Sequence, residues 1–316
     1  MLCVLRVVRA LSYGLVAFAL TLGPAENRGE QPSDQACLKT YAKVAAALGI
    51  EPDTAEARIR TTGRPAAPWI PLMKPVQIVR TNTLQVKLEE QTGQVLYVSN
   101  TAVSLRIHAR KQLLFESRGK LFMPTRHPSA IVSAVEQFFA RVAGHPVPND
   151  LRLRMIEFDP KRGVWVLGWA RYIAGYLSDD EGLGASVDDV SGKINHYTYT
   201  VTGATCRPVI RLSLKEAAPS ARKHAEYLVQ KQARGEPYDV LETEPPSLQI
   251  VYPNYARTED AEQLTEEDLR KAAKNPRLAF VFQFEFQYAG NKKSHTILPL
   301  AIVWIDAANG DVLGGL

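Results

Sequence analysis

Cysteine is scarce in this chain of 316 residues: there are three, and Cys3 precedes an N-terminal apolar run. The other two, Cys37 and Cys206, are free to pair in an oxidising compartment, but two cysteines do not make a disulfide scaffold. Cys37 falls at helical spacing with Tyr41, Val44 and Leu48 and reads as a buried, unpaired thiol. Histidine is equally sparse. His108, His127, His145, His196, His224 and His295 include no pair at a spacing that aims two rings at one ion, so the usual basis for a zinc site is missing. No Gly-Xaa-Ser-Xaa-Gly elbow, Walker loop or dinucleotide fingerprint occurs, which leaves serine hydrolase, phosphate and nicotinamide chemistry without their support. A cysteine nucleophile has only Arg207, beside Cys206, to lower its pKa. Neither metal nor cofactor is expected. Concentrated charge is absent too: the net charge of +5 falls to +3 without Arg6 and Arg9, too diffuse for the basic face that nucleic acid requires.

Long apolar runs are limited to residues 10–22. Arg6 and Arg9 precede that run, and Gly23-Pro24-Ala25 follows with small residues where signal peptidase acts. This is the pattern of a signal peptide spanning residues 1–25, with cleavage after Ala25. Thirteen residues fall short of the roughly 20 that a membrane-spanning helix needs. A secreted or cell-envelope protein without a stable membrane span is therefore expected. The remainder is ordinary globular composition, 46% hydrophobic and 22% charged, with 20 Gly and 20 Pro dispersed along it.

What the chain does have is repetition. A helical pattern passes into alternating strands and closes on similar punctuation three times. The closing pieces are centred on Gly93, Gly192 and Gly310, which are 99 and 118 residues apart. Each glycine has an aliphatic residue five positions before it (Leu88, Val187, Ile305) and an acid four before it (Glu89, Asp188, Asp306). Thr92, Ser191 or Asn309 stands immediately before, and Val95, Ile194 or Val312 two after. Such a piece is a β-hairpin whose glycine supplies the positive φ of the turn.

Ser33 or Asp34 caps a first helix carrying Leu38, Tyr41, Ala45 and Leu48, and Gly49 stops it. Pro128 opens a second, with Ile131, Val135, Phe138 and Val142 on one stripe and Gly144 at its end. The third begins at the capping box Ser213-Leu214-Lys215-Glu216; Pro219 predicts either a kink or a regular start near Ala218. Phe280, Phe282, Phe284, Phe286 and Tyr288 alternate with Ala279, Val281, Gln283, Glu285 and Gln287 as one strongly apolar strand face, and Trp165, Leu167 and Trp169 share another. These aromatic stripes read as sheet residues under a helix. Arg106, His108 and Arg110 alternate with Leu105, Ile107 and Ala109 and predict a charged edge strand. Pro65, Pro68, Pro71 and Pro75 mark an extended linker around Trp69. From Glu236 to Asp268 ten acids face one base, Arg257, with a helix expected over residues 258–273. Glu259, Asp260 and Glu262 lack EF-hand spacing and fit a solvated helix N-terminus.

The fold expected is therefore α+β. Helix, strands and a closing hairpin of the form aliphatic-Asp-x-x-x-Gly-x-aliphatic resemble the PepSY domain. The second unit carries the resemblance through Trp165, Trp169, Arg171, Gly175, Val187, Asp188, Gly192 and Tyr197, and the third through residues 301–314; the first has Glu89 in place of Asp. The resemblance implies tandem cystatin-like units, each a helix on an antiparallel sheet, at residues 26–115, 124–205 and 210–316, the last with an acidic insertion at 236–276. It implies no catalytic residues, leaving Gly93, Gly192 and Gly310 as structural turn positions. It also implies a role in binding proteins outside the cytoplasm, as an inhibitor or modulator of a secreted peptidase. The reading from another class is an extracellular hydrolase using dispersed carboxylates, which carry no short motif.

Overall fold

A computed structural model describes residues 34–62, 76–116, 121–232, 238–255, 274–288 and 300–315, with single positions 258, 265, 267, 268 and 271. The signal segment at 1–25, Ser33, the proline-rich stretch around Trp69 and Glu236, Glu259, Asp260, Glu262 and Glu266 of the acidic insertion lie outside the described residues. The architecture is α+β: helices packed on mostly antiparallel sheet. Among the described residues no helix is long and apolar enough to cross a membrane.

The chain divides into two compact units. The first comprises the described residues up to Arg171 together with residues 181–201; the second comprises Tyr172–Asp180 and the described residues from Thr202 onward.

In the first unit, α1 (Asp34–Ala47) precedes β1 (Arg58–Thr62), β2 (Val76–Arg80), β3 (Leu84–Glu89) and β4 (Val95–Asn100). Next come α2 (Thr101–Glu116), α3 (Pro128–Ala143), β5 (Leu151–Asp159), β6 (Val164–Ile173), β7 (Tyr176–Asp188) and β8 (Ile194–Tyr199). The strands run in the order β1-β2-β3-β4-β8-β7, with β6 on β7 and β5 on β6. The β1–β4 and β5–β8 segments meet at the antiparallel β4–β8 pair, with Tyr97 opposite Thr198, Val98 opposite Tyr197 and Ser99 opposite His196. They also share a core, in which Tyr41, Val44, Ile131, Val135, Phe138 and Phe139 from α1 and α3 lie over Val86, Leu88, Trp165, Leu167, Trp169 and Tyr197. The edge-to-face contact of Phe138 with Tyr197, at 5.2 Å between centroids, belongs to this layer. The predicted stripes supply these residues, and the caps sit where the sequence places them: Pro128 in the first turn of α3, Gly49 at φ 65° and Gly144 at φ 85°.

One expectation is corrected. Arg106, His108 and Arg110 lie on a helix, α2, and not on an edge strand. Val103 and Ile107, four apart, pack with Val164 and Val166, and the Asn100 side chain accepts the Val103 N–H at 3.2 Å, a cap that starts the helix. The alternation of charge read from residues 105–110 is thus an accident of a helix surface; the i,i+4 apolar pair decides the element.

In the second unit, α4 (Leu214–Gln232) lies on the meander β9 (Tyr238–Val251), β10 (Arg277–Tyr288), β11 (Ala301–Asp306) and β12 (Val312–Gly315). Leu177 and Ser178 pair in parallel with Gln249 and Ile250. The capping box closes α4: the Ser213 N–H and Oγ donate to the Glu216 carboxylate at 2.7 and 2.8 Å. The helix begins at Leu214 and continues through Pro219. Small residues Ala217, Ala221 and Ala225 face Phe280, Phe282, Phe284, Val303 and Ile305. The opposite face is also apolar where β10 meets β11, with Ala279, Val281, Ile302, Trp304 and Leu313 buried. The two-sided burial replaces the single apolar face predicted for β10. Of the acidic insertion, Glu267, Asp268 and Lys271 are helical, and Thr265 caps them by accepting the Asp268 N–H on Oγ at 3.2 Å, its hydroxyl donating in turn to the Asp268 carboxylate at 2.6 Å.

Candidate functional site

The three closing hairpins place Gly93, Gly192 and Gly310 at φ 68°, 67° and 83°. Their backbone bonds coincide. In each, the acid's N–H donates to the carbonyl five residues on (Glu89 to Gln94 at 2.8 Å, Asp188 to Lys193 at 3.0 Å, Asp306 to Asp311 at 2.9 Å). The glycine N–H then returns to the acid's carbonyl, at 2.9, 2.8 and 3.0 Å respectively. The acid side chains fold into their own turns. Glu89 accepts from the Thr92 hydroxyl at 2.7 Å, Asp188 from the Ser191 hydroxyl at 2.6 Å, and Asp306 from the Ala308 N–H at 2.7 Å. Each is buried, so the recurring acid is explained by turn chemistry. A fourth turn of this form joins β5 to β6: Gly163 at φ 65° donates to the Asp159 carbonyl at 2.8 Å, and Asp159 accepts the Lys161 N–H at 2.8 Å. Its Asp-x-x-x-Gly spacing was available in the sequence and is missing from the three-repeat reading.

Arginines engage three of these acids: Arg110 pairs with Asp188, Arg277 with Asp306 and Arg162 with Asp159. Beside Asp188, the Asp189 carboxylate accepts from the Thr125 N–H and hydroxyl (2.8 and 2.7 Å), the Arg126 N–H (3.2 Å) and the Trp165 indole (2.8 Å). Burial by itself pushes Asp188 and Asp189 up. Hydrogen bonds from Ser191 and Arg110 to the first, and from Thr125 and Trp165 to the second, outweigh it and hold both below the usual carboxylate range. Farther along the sheet, Arg171 donates to Asp150 at 2.8 Å and to buried Glu181 at 2.7 Å. Nothing in residue spacing pointed to the Arg171 or Asp189 networks, because their partners come from separate strands and a connection.

The chemistry available to these groups is limited. A general acid at neutral pH needs a raised carboxyl pKa; Asp159, Asp188 and Asp189 are held down. Among the described residues no three His, Cys, Asp or Glu side chains converge as metal ligands. Cys37 and Cys206 are both unpaired as thiols. The Cys37 thiol donates to the Gln77 carbonyl at 2.5 Å, and burial pushes both thiols up, away from the reactive thiolate. On the sheet face away from α1 and α3, the Tyr97 hydroxyl lies 3.4 Å from His196 Nδ1 and the Lys87 ammonium 5.0 Å from the Tyr97 ring. Burial pushes His196 and Lys87 down. Ser186 faces His196 across β7 and β8, but no carboxylate orients that imidazole among the described residues, so a nucleophile, base and orienter are not assembled.

The sheet edges differ. Among the described residues β1 and β5 each pair on one side only. β1 matches β2 over five residues without a bulge and carries Arg58 and Arg60 outward. β5 has a bulge between Leu153 and Met155 beside Arg154, then pairs regularly to Asp159. The edge at β12 is covered. Asn254 and Tyr255 donate their N–H groups to the Leu313 carbonyl (3.1 and 3.0 Å), and the Asn254 side chain donates to the Gly315 carbonyl at 2.9 Å. The outer half of β9 carries Pro245 and Pro246, which block a continuous ladder.

No family model matches this chain, and neither does any curated protein. Among solved structures it is similar to the Bacillus megaterium YpeB C-terminal domain, with a TM-score of 0.40 and 9% identity over 91% of this chain and 98% of that one. No family membership follows at that level of likeness.

Proposed function

We propose that this chain is a non-enzymatic protein-binding protein that acts outside the cytoplasm, in the medium or the cell envelope, and that a secreted peptidase is its favoured partner. In this reading residues 1–25 are the export signal, and residues 26–115, 124–205 and 210–316 are three PepSY-like units. The observation that carries it is the regular, one-sided pairing of β1 among the described residues. Such an edge takes an extended segment of another protein by main-chain hydrogen bonding, and Arg58 and Arg60 favour an acidic one. The engagement of the buried turn acids within their own hairpins supports a scaffold over a catalyst. Inhibition by strand pairing is stoichiometric and needs no metal. Titration against secreted peptidases of the same cell should give saturable inhibition or altered maturation, weakened at least tenfold by Arg58→Glu/Arg60→Glu and untouched by alanine at Cys37, Cys206 or Glu262. Turnover of a small substrate that vanishes on substituting one carboxylate would replace this reading with the hydrolase.

A further inference from the structure

The exposed apolar side chains are unevenly distributed. Among the described residues five large ones stand far out of the surface, Met123 at 78%, Leu105 and Leu113 at 64%, Val190 at 60% and Leu121 at 59%, and every other exposed one described is at 49% or less. All five are carried by α2, the connection at 121–127 and the β7–β8 hairpin of the first unit, and ion pairs and hydrogen bonds tie these elements together. Arg110 of α2 reaches Asp188 on the β7–β8 hairpin and lies 5.9 Å from the Phe122 ring. Phe122 donates its N–H to the Pro160 carbonyl at 2.9 Å, and the Asp189 N–H meets the Gly163 carbonyl at 3.2 Å, joining the two hairpin ends. Arg126 donates to the Asp189 and Val190 carbonyls at 2.6 and 3.0 Å.

The same surface is basic. Lys111, Arg126, Lys161 and Lys193 are exposed around it. The carboxylates of these turns are spent internally, Asp159 on Arg162, Asp188 on Arg110, and Asp189 on Thr125 and Trp165. Exposed apolar side chains gathered on adjoining elements beside cations mark an interaction surface.

We infer that this region docks on an anionic lipid surface. The apolar residues are aliphatic, whereas protein hot spots are dominated by Trp, Tyr and Arg. They are carried by the outer face of a helix, an irregular connection and a hairpin tip, positions that enter the headgroup layer while the flanking cations meet lipid phosphates. This inference is independent of the β1 edge, which lies elsewhere in the strand order.

The test uses the full chain and two vesicle preparations, phosphatidylcholine alone and an equal mixture with phosphatidylglycerol. The chain carries Arg6→Gln/Arg9→Gln in every arm, so that the N-terminal apolar run contributes equally to both preparations and the readout is the excess on anionic vesicles. Sedimentation should give an excess of about tenfold or more at low salt, shrinking as ionic strength rises. Leu113→Ser/Leu121→Ser/Met123→Ser and, separately, Lys111→Glu/Lys161→Glu should abolish the excess. Val209→Ser/Ile210→Ser, which changes exposed apolar residues of the second unit, should keep it. Equal binding to both vesicles, or an excess that survives the first two variants, overturns the inference. Peptidase inhibition lost in the serine variant with vesicle binding intact also overturns it and assigns the patch to a protein partner. Loss of inhibition in Arg58→Glu/Arg60→Glu bears on the edge alone.

Discussion

The β3–β4 and β7–β8 hairpins are built from one short pattern and have the same backbone bonds, yet the molecule holds them very differently. At β3–β4 Glu89 accepts the Thr92 hydroxyl inside the turn, and a methyl group added to Gly93 would meet nothing within 4 Å. At β7–β8 the equivalent Asp188 also pairs with Arg110 of α2, Asp189 receives Thr125, Arg126 and Trp165, and a methyl on Gly192 would sit 2.9 Å from the Arg126 guanidinium carbon. Local turn chemistry therefore sets the shape of both, and at β7–β8 contacts from α2, Thr125, Arg126 and Trp165 are added to it.

The acids should separate the two hairpins most strongly. Asp188→Ala removes a buried carboxylate and leaves the Arg110 guanidinium without it, a loss of about 3 to 4 kcal/mol in denaturant unfolding of the first unit. Glu89→Ala, which gives up the bond from Thr92, should cost about 1 to 2 kcal/mol. Equal losses would mean the arginine pair adds nothing. The same contrast carries a pH dependence. Because the folded pKa values of Asp188 and Asp189 lie below the ordinary range, their contribution is complete above that range and is lost as pH falls through it toward the folded values. Acid titration of stability should therefore be shallower in Asp188→Asn than in the unsubstituted chain.

Glycine replacement tests the turns themselves. Alanine at Gly93 or Gly192 meets the left-handed backbone cost of about 1 to 2 kcal/mol. Gly192→Ala should lose about 1 kcal/mol more, because Arg126 must leave the carbonyls it bonds. Matching unfolding midpoints for the two variants would show that Arg126 yields without loss. The smallest effect is expected at the β6–β7 turn, where a non-glycine residue, Ala174, takes φ 50° beside Gly175. Ala174→Asn should stabilise by roughly 0.5 kcal/mol, since Asn enters that region more readily than Ala; an unchanged or lower midpoint would count against strain at this turn.

Much of the scaffold is legible in the chain. Stripes such as Ile131, Val135, Phe138 and Val142 can bury one face only as a helix, and Gly144 at a positive φ ends it. α2 is less legible because the alternation over residues 105–110 imitates a strand; the Asn100 cap on Val103 is local, but the packing of Ile107 with Val164 that fixes the buried face reaches outside any local window. The exposed residues around Met123 and Val190 escape sequence reading for a related reason: they are ordinary aliphatic residues, and only their exposure in the folded chain distinguishes them from core.

By itself the sequence determined the α+β class, three of the helices and the conformation of the closing turns, because these depend on residue periodicity, caps and the freedom of glycine at positive φ. Tertiary structure alone decided that β1–β4 and β5–β8 join in one sheet through β4 and β8 over a single core, that Asp188 meets Arg110, and which apolar side chains stay in water. Those outcomes depend on groups brought together from distant parts of the chain, and the free energy of burial belongs to the assembled neighbourhood and not to any one segment.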